Sequence, residues 1–198
     1  MNGSVTKTYN IAGVTITEQS TPLSDSSQHA VNPTLAVAQN GSFGSRSNNT
    51  VGTLTLSANH GITTGQRIDL FWSTGVRYGI TAGTVSGTSV PISGGDGDNL
   101  PANGTTIKAG IVSNLSFPLV GDNLTLLALR STAEAQFTFN NGTADVASFH
   151  VSAGIAYDWY TGQGRTNPLA GLNDITRLYV SQNGVSSAAT AQAATLSH

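Results

Sequence analysis

The chain has 198 residues, enough to bury one good core or two small ones. Only 9% of them are charged and the net charge is −2, with basic residues too few and too scattered to form the stripe that nucleic-acid wrapping needs. Cysteine is absent, which excludes disulfides and thiolate metal sites, and no apolar run approaches the ~20 residues that span a bilayer. A polar surface on such a chain is built from Ser, Thr, Asn and Gln. Thr, Val and Ile recur at period two, which marks an ordered β-protein and not a disordered one. The start, Met1-Asn-Gly-Ser-Val5, lacks a charged region followed by an apolar one, so no secretion signal is expected.

In chain order, residues 5–11 and 14–17 alternate around Ala12-Gly13 and predict two strands or a hairpin. Residues 18–32 are polar and Ser-rich and read as a loop, 33–38 as a short apolar strand, and 39–49 as a turn-rich connection. The stretch 52–107 is a meander of short antiparallel strands punctuated by glycine turns. Strands are predicted at 53–57, 67–72, 76–81, 83–85 and 89–93, with 94–99 (Gly-Gly-Asp-Gly-Asp-Asn) as a closing loop. Beyond it, strands are predicted at 105–112 and 115–119. Residues 124–129 are apolar but for Thr125 and predict a strand covered on both faces. Residues 133–139 alternate, Asn140-Asn-Gly-Thr143 is a hairpin turn, and 147–151 answers as its partner. Residues 155–160 carry an aromatic centre, 161–171 form a loop, and 175–181 a strand. The tail 187–196 suits a short helix by its alanines and a terminal edge strand by Thr190 and Thr195.

The whole predicts an all-β chain. A β-sandwich is built from 1–50 and 105–198, its termini paired in one sheet, and a small β-barrel of SH3-like or rolled-sheet form is inserted at 51–104.

Asn59-His-Gly-Ile-Thr-Thr-Gly65 followed by an apolar strand resembles the "HGL-x-TG-D" modules of tailed-bacteriophage virion proteins. Val76-Arg-Tyr-Gly79, Thr84-Val-Ser-Gly87, Val90-Pro-Ile92 and Gly94-Gly-Asp-Gly-Asp98 are similar to one uncharacterised phage subset of those modules. The resemblance covers about a quarter of the chain strongly, from Gly52 to Pro101, and extends weakly to Asn167-Pro-Leu-Ala-Gly171 and Arg177-Leu-Tyr-Val-Ser181. Gln66 replaces the module's usual acidic residue, so no role of that carboxylate carries over. What the resemblance implies is a location, the virion assembled in a bacterial cytoplasm, and not a chemistry.

His60 in its glycine turn reads either as a metal ligand or base, or as a turn cap bonded to backbone; no second His or acid sits at ligand spacing. Asp96 and Asp98 begin a calcium-like loop that lacks its closing bidentate acid, and a solvated turn uses the same residues. No Gly-x-Ser-x-Gly elbow and no phosphate-cradling glycine loop occurs. Tyr157, Trp159 and Tyr160 are either a sugar-stacking platform or core and interface packing.

The expectation is therefore a non-enzymatic structural protein of a tailed-phage virion, without cofactor. It would act as a capsid decoration or cement protein, pairing with copies of itself and with the major capsid protein, and with no nucleic acid or membrane as partner. Val5 and Tyr9 on strand 5–11 are the candidate edge for pairing with a neighbour. The alternative is a tail or fibre component, with a glycan or receptor bound through Tyr157, Trp159 and Tyr160.

Overall fold

The computed structural model describes residues 5–11, 14–20, 27–184 and 186–197, with side chains from His29 onward. The chain is all-β. Its strands are β1 (Val5–Ile11), β2 (Val14–Ser20), β3 (Ser27–Val31), β4 (Thr34–Leu35), β5 (Gln39–Arg46), β6 (Val51–Leu56), β7 (Arg67–Trp72), β8 (Gly75–Ala82) and β9 (Ser89–Gly97). There follow β10 (Thr106–Ile111), β11 (Ser113–Leu119), β12 (Leu124–Ser131), β13 (Ala135–Asn140), β14 (Asp145–Val151), β15 (Tyr157–Tyr160), β16 (Ile175–Gln182) and β17 (Ala189–Ser197). The chain divides into two compact units. One comprises Thr34–Ser113 and Val180–Ala189; the other comprises Met1–Pro33, Asn114–Tyr179 and Thr190–His198.

The first unit holds a closed barrel in the order β10-β5-β6-β9-β8-β7. Its interior is filled by Phe43, Leu54, Leu56, Ile68, Leu70, Ile80, Val90, Ile92 and Ile107, all buried. Closure leaves no barrel strand with a bare edge. β5 covers much of the segment expected to be a connection. A single apolar anchor, Phe43, fills the interior, and glycines bring the backbones together: a Cβ on Gly52 would lie 2.6 Å from the Phe43 ring. So polar and glycine-rich a strand carries no periodic signal, and its ladder comes from β6 and β10 on either side. With β5 and β10 included, the barrel extends from Gln39 to Ile111, beyond 51–104 at both ends.

Two other expectations in this unit are corrected. Residues 83–85 lie outside the strands, and only a Ser86–Ser89 bridge closes the turn there. Residues 94–97 are not loop but the end of β9, paired with β8 through Gly94–Ile80, Asp96–Tyr78 and Gly97–Arg77. Gly94, Gly95 and Gly97 have φ of 77°, 73° and 120°, so the strand adopts a backbone that turn propensity reads as loop. β7 departs from alternation, because Asp69 and Phe71 on its outer side are buried as well as Ile68 and Leu70. The end of β16 explains this: Ser181 bonds Asp69, and a Cβ on Gly110 would meet Gln182 O at 2.7 Å and the Phe71 ring at 3.0 Å.

The second unit is a β-sandwich. One sheet runs β11-β16-β13-β14 and the other β15-β12-β17-β3. A chain of ring contacts crosses between them at both edges. His29 of β3 meets Phe117 of β11 at 5.4 Å, Phe117 meets Phe139, Phe139 meets Phe149, and Phe149 of β14 meets Tyr157 of β15 at 4.9 Å. Rings in offset and edge-on contact add about 0.5–1.5 kcal/mol per pair beyond area burial. β12, as its apolar run predicts, is buried from Leu126 to Leu129.

Here too some expectations fail. β2 extends to Ser20 and β3 occupies Ser27–Val31, inside the predicted loop 18–32; polar residues form β3 because β17 offers it a ladder. Within 33–38 only Thr34 and Leu35 are strand. The tail is neither helix nor edge: β17 lies between β12 and β3, with Ala191, Ala193 and Ala194 nearly fully buried. Ladder bonds on both sides override the helix propensity of alanine. The Asn-Gly hairpin turn expected at 140–143 lies at 141–144, between β13 and β14. The side-chain Oδ1 of Asn140 accepts from Gly142 N–H (2.7 Å), and Oδ1 of Asn141 accepts from Thr143 N–H (3.0 Å) and Ala144 N–H (2.8 Å). β1 and β2 form a two-stranded sheet of their own, from Val5–Ser20 to Ile11–Val14; the turn at 12–13 lies outside the described residues.

Candidate functional site

His60 is 5% exposed, and both of its ring nitrogens are engaged. Nδ1 accepts from Ile62 N–H at 3.0 Å, which leaves the ring proton on Nε2, donated to Gly87 O at 3.0 Å. The imidazole thus ties its own turn to the 86–89 turn across the barrel mouth. Thr64 Oγ1 accepts from Val85 N–H (3.0 Å) and makes a second tie between the same segments. Asn59, Gly61 and Gly65, with φ of 62°, 71° and 80°, supply the left-handed backbone. Gln66 Oε1 accepts from Thr63 N–H (3.0 Å), so a neutral amide oxygen caps this turn. The motif that carries the resemblance is a set of staples between loops.

The same holds for Val76-Arg-Tyr-Gly79 and 94–98. Arg77 is 5% exposed, on the β8 strand beside the glycine end of β9. Its Nε donates to Gly94 O (2.7 Å), Nη1 to Gly97 O (3.2 Å) and Asp98 O (2.8 Å), and Nη2 to Gly95 O. One planar cation therefore binds four carbonyls of a strand that glycine would otherwise leave loose. Asp98 returns the contact, accepting Val76 N–H at 2.9 Å through Oδ2. Asp69, 3% exposed, accepts Gly79 N–H (2.7 Å) at the β7–β8 bulge and Ser181 Oγ–H (2.6 Å). Burial and then the charges of Asp69 and Asp98 raise the Tyr78 phenol above its ordinary range. Asp96 stands opposite Tyr78 in the ladder, and the Asp98 carboxylate is engaged by Val76 N–H. Among the described residues no three His, Asp or Glu side chains gather as a metal site.

In the sandwich, Trp159 is 4% exposed, and its Nε1–H donates to Arg165 O at 3.2 Å. Tyr157 is half-buried against Phe149, with Arg165 5.9 Å above its ring. Tyr160 is 47% exposed. The three aromatics are therefore split: one is core, one is at the sandwich edge, and one faces solvent. A stacking platform of Trp159 and Tyr160 together is not formed. Val5 and Tyr9 lie on β1, opposite Ser20 and Ile16 of β2.

Sequence reasoning missed two clusters here. Asp158, between Tyr157 and Trp159, has a carboxyl oxygen buried without a hydrogen-bond partner, and Arg130 has a buried Nε in the same condition. Burial raises the Asp158 pKa, opposed by the Arg130 charge. A lone Asp in an aromatic strand was the available signal. The second is Asp122 and its bonds to Asn167-Pro-Leu-Ala-Gly171 and Asn173; the sequence marked 167–171 but not this partner. Asp122 accepts Asn173 Nδ2 and Gly171 N–H, each at 2.6 Å, which holds its carboxyl below the usual range. Asn167 donates to Gly121 O (2.8 Å) and accepts Leu169 N–H (2.9 Å).

No protein-family model, no curated protein and no solved structure matches the chain.

Proposed function

We propose that the chain is a non-enzymatic structural protein of a tailed-phage virion, acting as a capsid decoration or cement protein. The observation that carries this reading is the use made of the phage-like motifs. The polar groups of His60, Thr64, Gln66, Arg77, Asp98 and Asn167 bond the protein's own backbone. Residues spent in this way stiffen a scaffold and leave nothing at those positions to turn over a substrate. The outer strands of the sandwich sheets, β11, β14, β15 and β3, and the strand β1 with its single partner β2, are where a neighbouring subunit would add a strand. A surface with few charges docks on such neighbours at a small desolvation cost. Repeated over a lattice, modest contacts sum to a stable shell. The major capsid protein and further copies of this chain are the partners on this reading.

The test is solution mass together with binding to emptied capsids that lack the protein. Symmetric oligomers that saturate capsids at fixed stoichiometry are expected. An oligomer that ignores capsids overturns the cement role and moves the protein to the tail or a fibre.

A further inference from the structure

The sheet β15-β12-β17-β3 has two apolar faces, and the opposing sheet of the sandwich covers one of them. Leu127 and Leu129, with Trp159 and Tyr157 opposite them, belong to that aromatic interior. Leu126 and Ala128 of β12, with Leu196 and Ala194 opposite them on β17, lie on the other face. These four form an apolar cluster of their own, each 2% exposed or less in the single chain, so the chain itself covers them. The cover is narrow. Tyr160 on β15, opposite Leu126, is 47% exposed, and Ala30 on β3, opposite Ala194, is exposed as well. The sealed strip is therefore two strands wide. It continues to Arg130 and Asp158 on the same face, whose Nε and Oδ1 are closed off from solvent without a partner. The segment 161–166 that follows β15 is exposed apart from Gln163, too open to be the seal.

The hairpin of β1 and β2 has the matching width and pattern. The two strands pair as a sheet of their own, and a two-stranded sheet needs a face to pack on. Register and alternation place Tyr9, Ile11, Val14 and Ile16 on one face of it, and Thr6, Thr8, Thr15 and Thr17 on the other. The apolar face carries one cation and one anion, Lys7 opposite Glu18, and the strip carries Arg130 and Asp158, so the surfaces meet with their charges balanced. The hairpin belongs to the same compact unit as the sandwich. Residues 21–26 lead from it to β3, a length of chain that reaches up to about 20 Å. β3 begins beside the strip, with Gln28 opposite Leu196, and neighbouring strands are about 4.8 Å apart.

We propose that the outer face of β12 and β17 is the docking surface of the β1–β2 hairpin of the same chain, which lies on it as a third layer with its polar face outward. The hairpin is then a strap, joined to the sandwich at one end and held by apolar contact. The inference stands whether or not the protein is part of a virion.

The chain has no cysteine, so Thr17→Cys gives the full chain a single site for a nitroxide on the hairpin's polar face. Packed sheets lie about 10 Å apart, well within reach of the label. Amide signals of 126–128 and 194–196 should broaden, and those of β14 far less. Mixing nitroxide-labelled chains with isotope-labelled chains that carry no nitroxide should give no such broadening. Added to the labelled chain, Ile16→Asp should abolish the broadening and open the Leu126 and Leu196 methyls to a soluble relaxation agent. Thr15→Asp, next to it on the polar face, should change neither, and Trp159 fluorescence checks that the sandwich stays folded. An unbroadened strip overturns the proposal. Broadening in the mixed sample gives the face to a neighbour's hairpin and overturns docking within one chain. Equal effects of Ile16→Asp and Thr15→Asp overturn the apolar contact.

Discussion

Replacing Arg77 by Ala tests whether one guanidinium holds the barrel's glycine strand. Four charge-assisted bonds to the carbonyls of Gly94, Gly95, Gly97 and Asp98 are lost. Taken singly, each bond to a charged group is worth about 1.5–3 kcal/mol. The full sum is not expected, because Gly94, Gly97 and Asp98 are exposed and water re-pairs their carbonyls, whereas Gly95 is half-buried. A loss equal to about two of the four bonds, roughly 3–6 kcal/mol, is the consequence. At about 2–4 °C per kcal/mol for a chain of this size, the barrel transition falls by roughly 10 °C. Lys recovers only part of this, since a point ammonium cannot span residues 94–98 as a planar fork does. Urea unfolding reports the loss. The two tryptophans separate the units, Trp72 belonging to the barrel and Trp159 to the sandwich. Hydrogen exchange should quicken at the amides of β9 and β8 and stay unchanged in β12. An Arg77→Ala barrel within about 1 kcal/mol of the parent would refute the clamp, since ordinary surface changes lie within ±0.5 kcal/mol.

His60→Ala breaks two hydrogen bonds, one within its own turn to Ile62 and one across to Gly87, and is expected to cost the barrel about 2 kcal/mol, read as a lower urea midpoint at unchanged slope. Trp159→Ala should cost about 3–5 kcal/mol as a core truncation, while Tyr160→Ala stays within about 0.5 kcal/mol; the reverse order in thermal melts would make Trp159 a surface platform after all. Asp158 has a folded pKa raised above its unfolded value of about 3.9, so the stability it contributes is full below that value and is lost as pH rises through the folded one. Asp158→Asn is therefore expected to melt higher than the parent at neutral pH, with the gap closing towards pH ~3. A gap constant with pH would mean that burial of the charge is not the cause.

Much of the fold was legible in the sequence. Period-two alternation and glycine punctuation located β7 to the residue, and they marked β6, β8, β10, β12 and β16 to within a few positions, because each has an apolar face that must be buried. The Asn-Gly turn and the glycine turns were marked by residue types whose backbone preferences are local. What escaped were strands whose neighbours, and not whose own residues, hold them: β5, β3 and the 94–97 end of β9, along with the central position of β17, which the sequence left open between a helix and an edge strand. Their ladders join residues far apart in sequence, such as Thr106 with Ser42 and Thr195 with His29, and no local propensity encodes a partner at that distance. The candidate residues divide in the same way. Composition showed that Tyr157, Trp159 and Tyr160 were an aromatic centre, but only the stacked sheets decided that Trp159 is buried and Tyr160 is not. Likewise, no spacing rule pairs Arg77 with four carbonyls about twenty residues on, or brings Ser181 to Asp69. The amino-acid sequence by itself determined that this chain is β and where turns such as 59–65 and the Asn-Gly hairpin fall, since those depend on backbone sterics and alternation. Which strands close the barrel, which polar groups become staples, and which aromatics meet solvent depended on long-range hydrogen bonding and burial, and these exist only once the sheets are assembled.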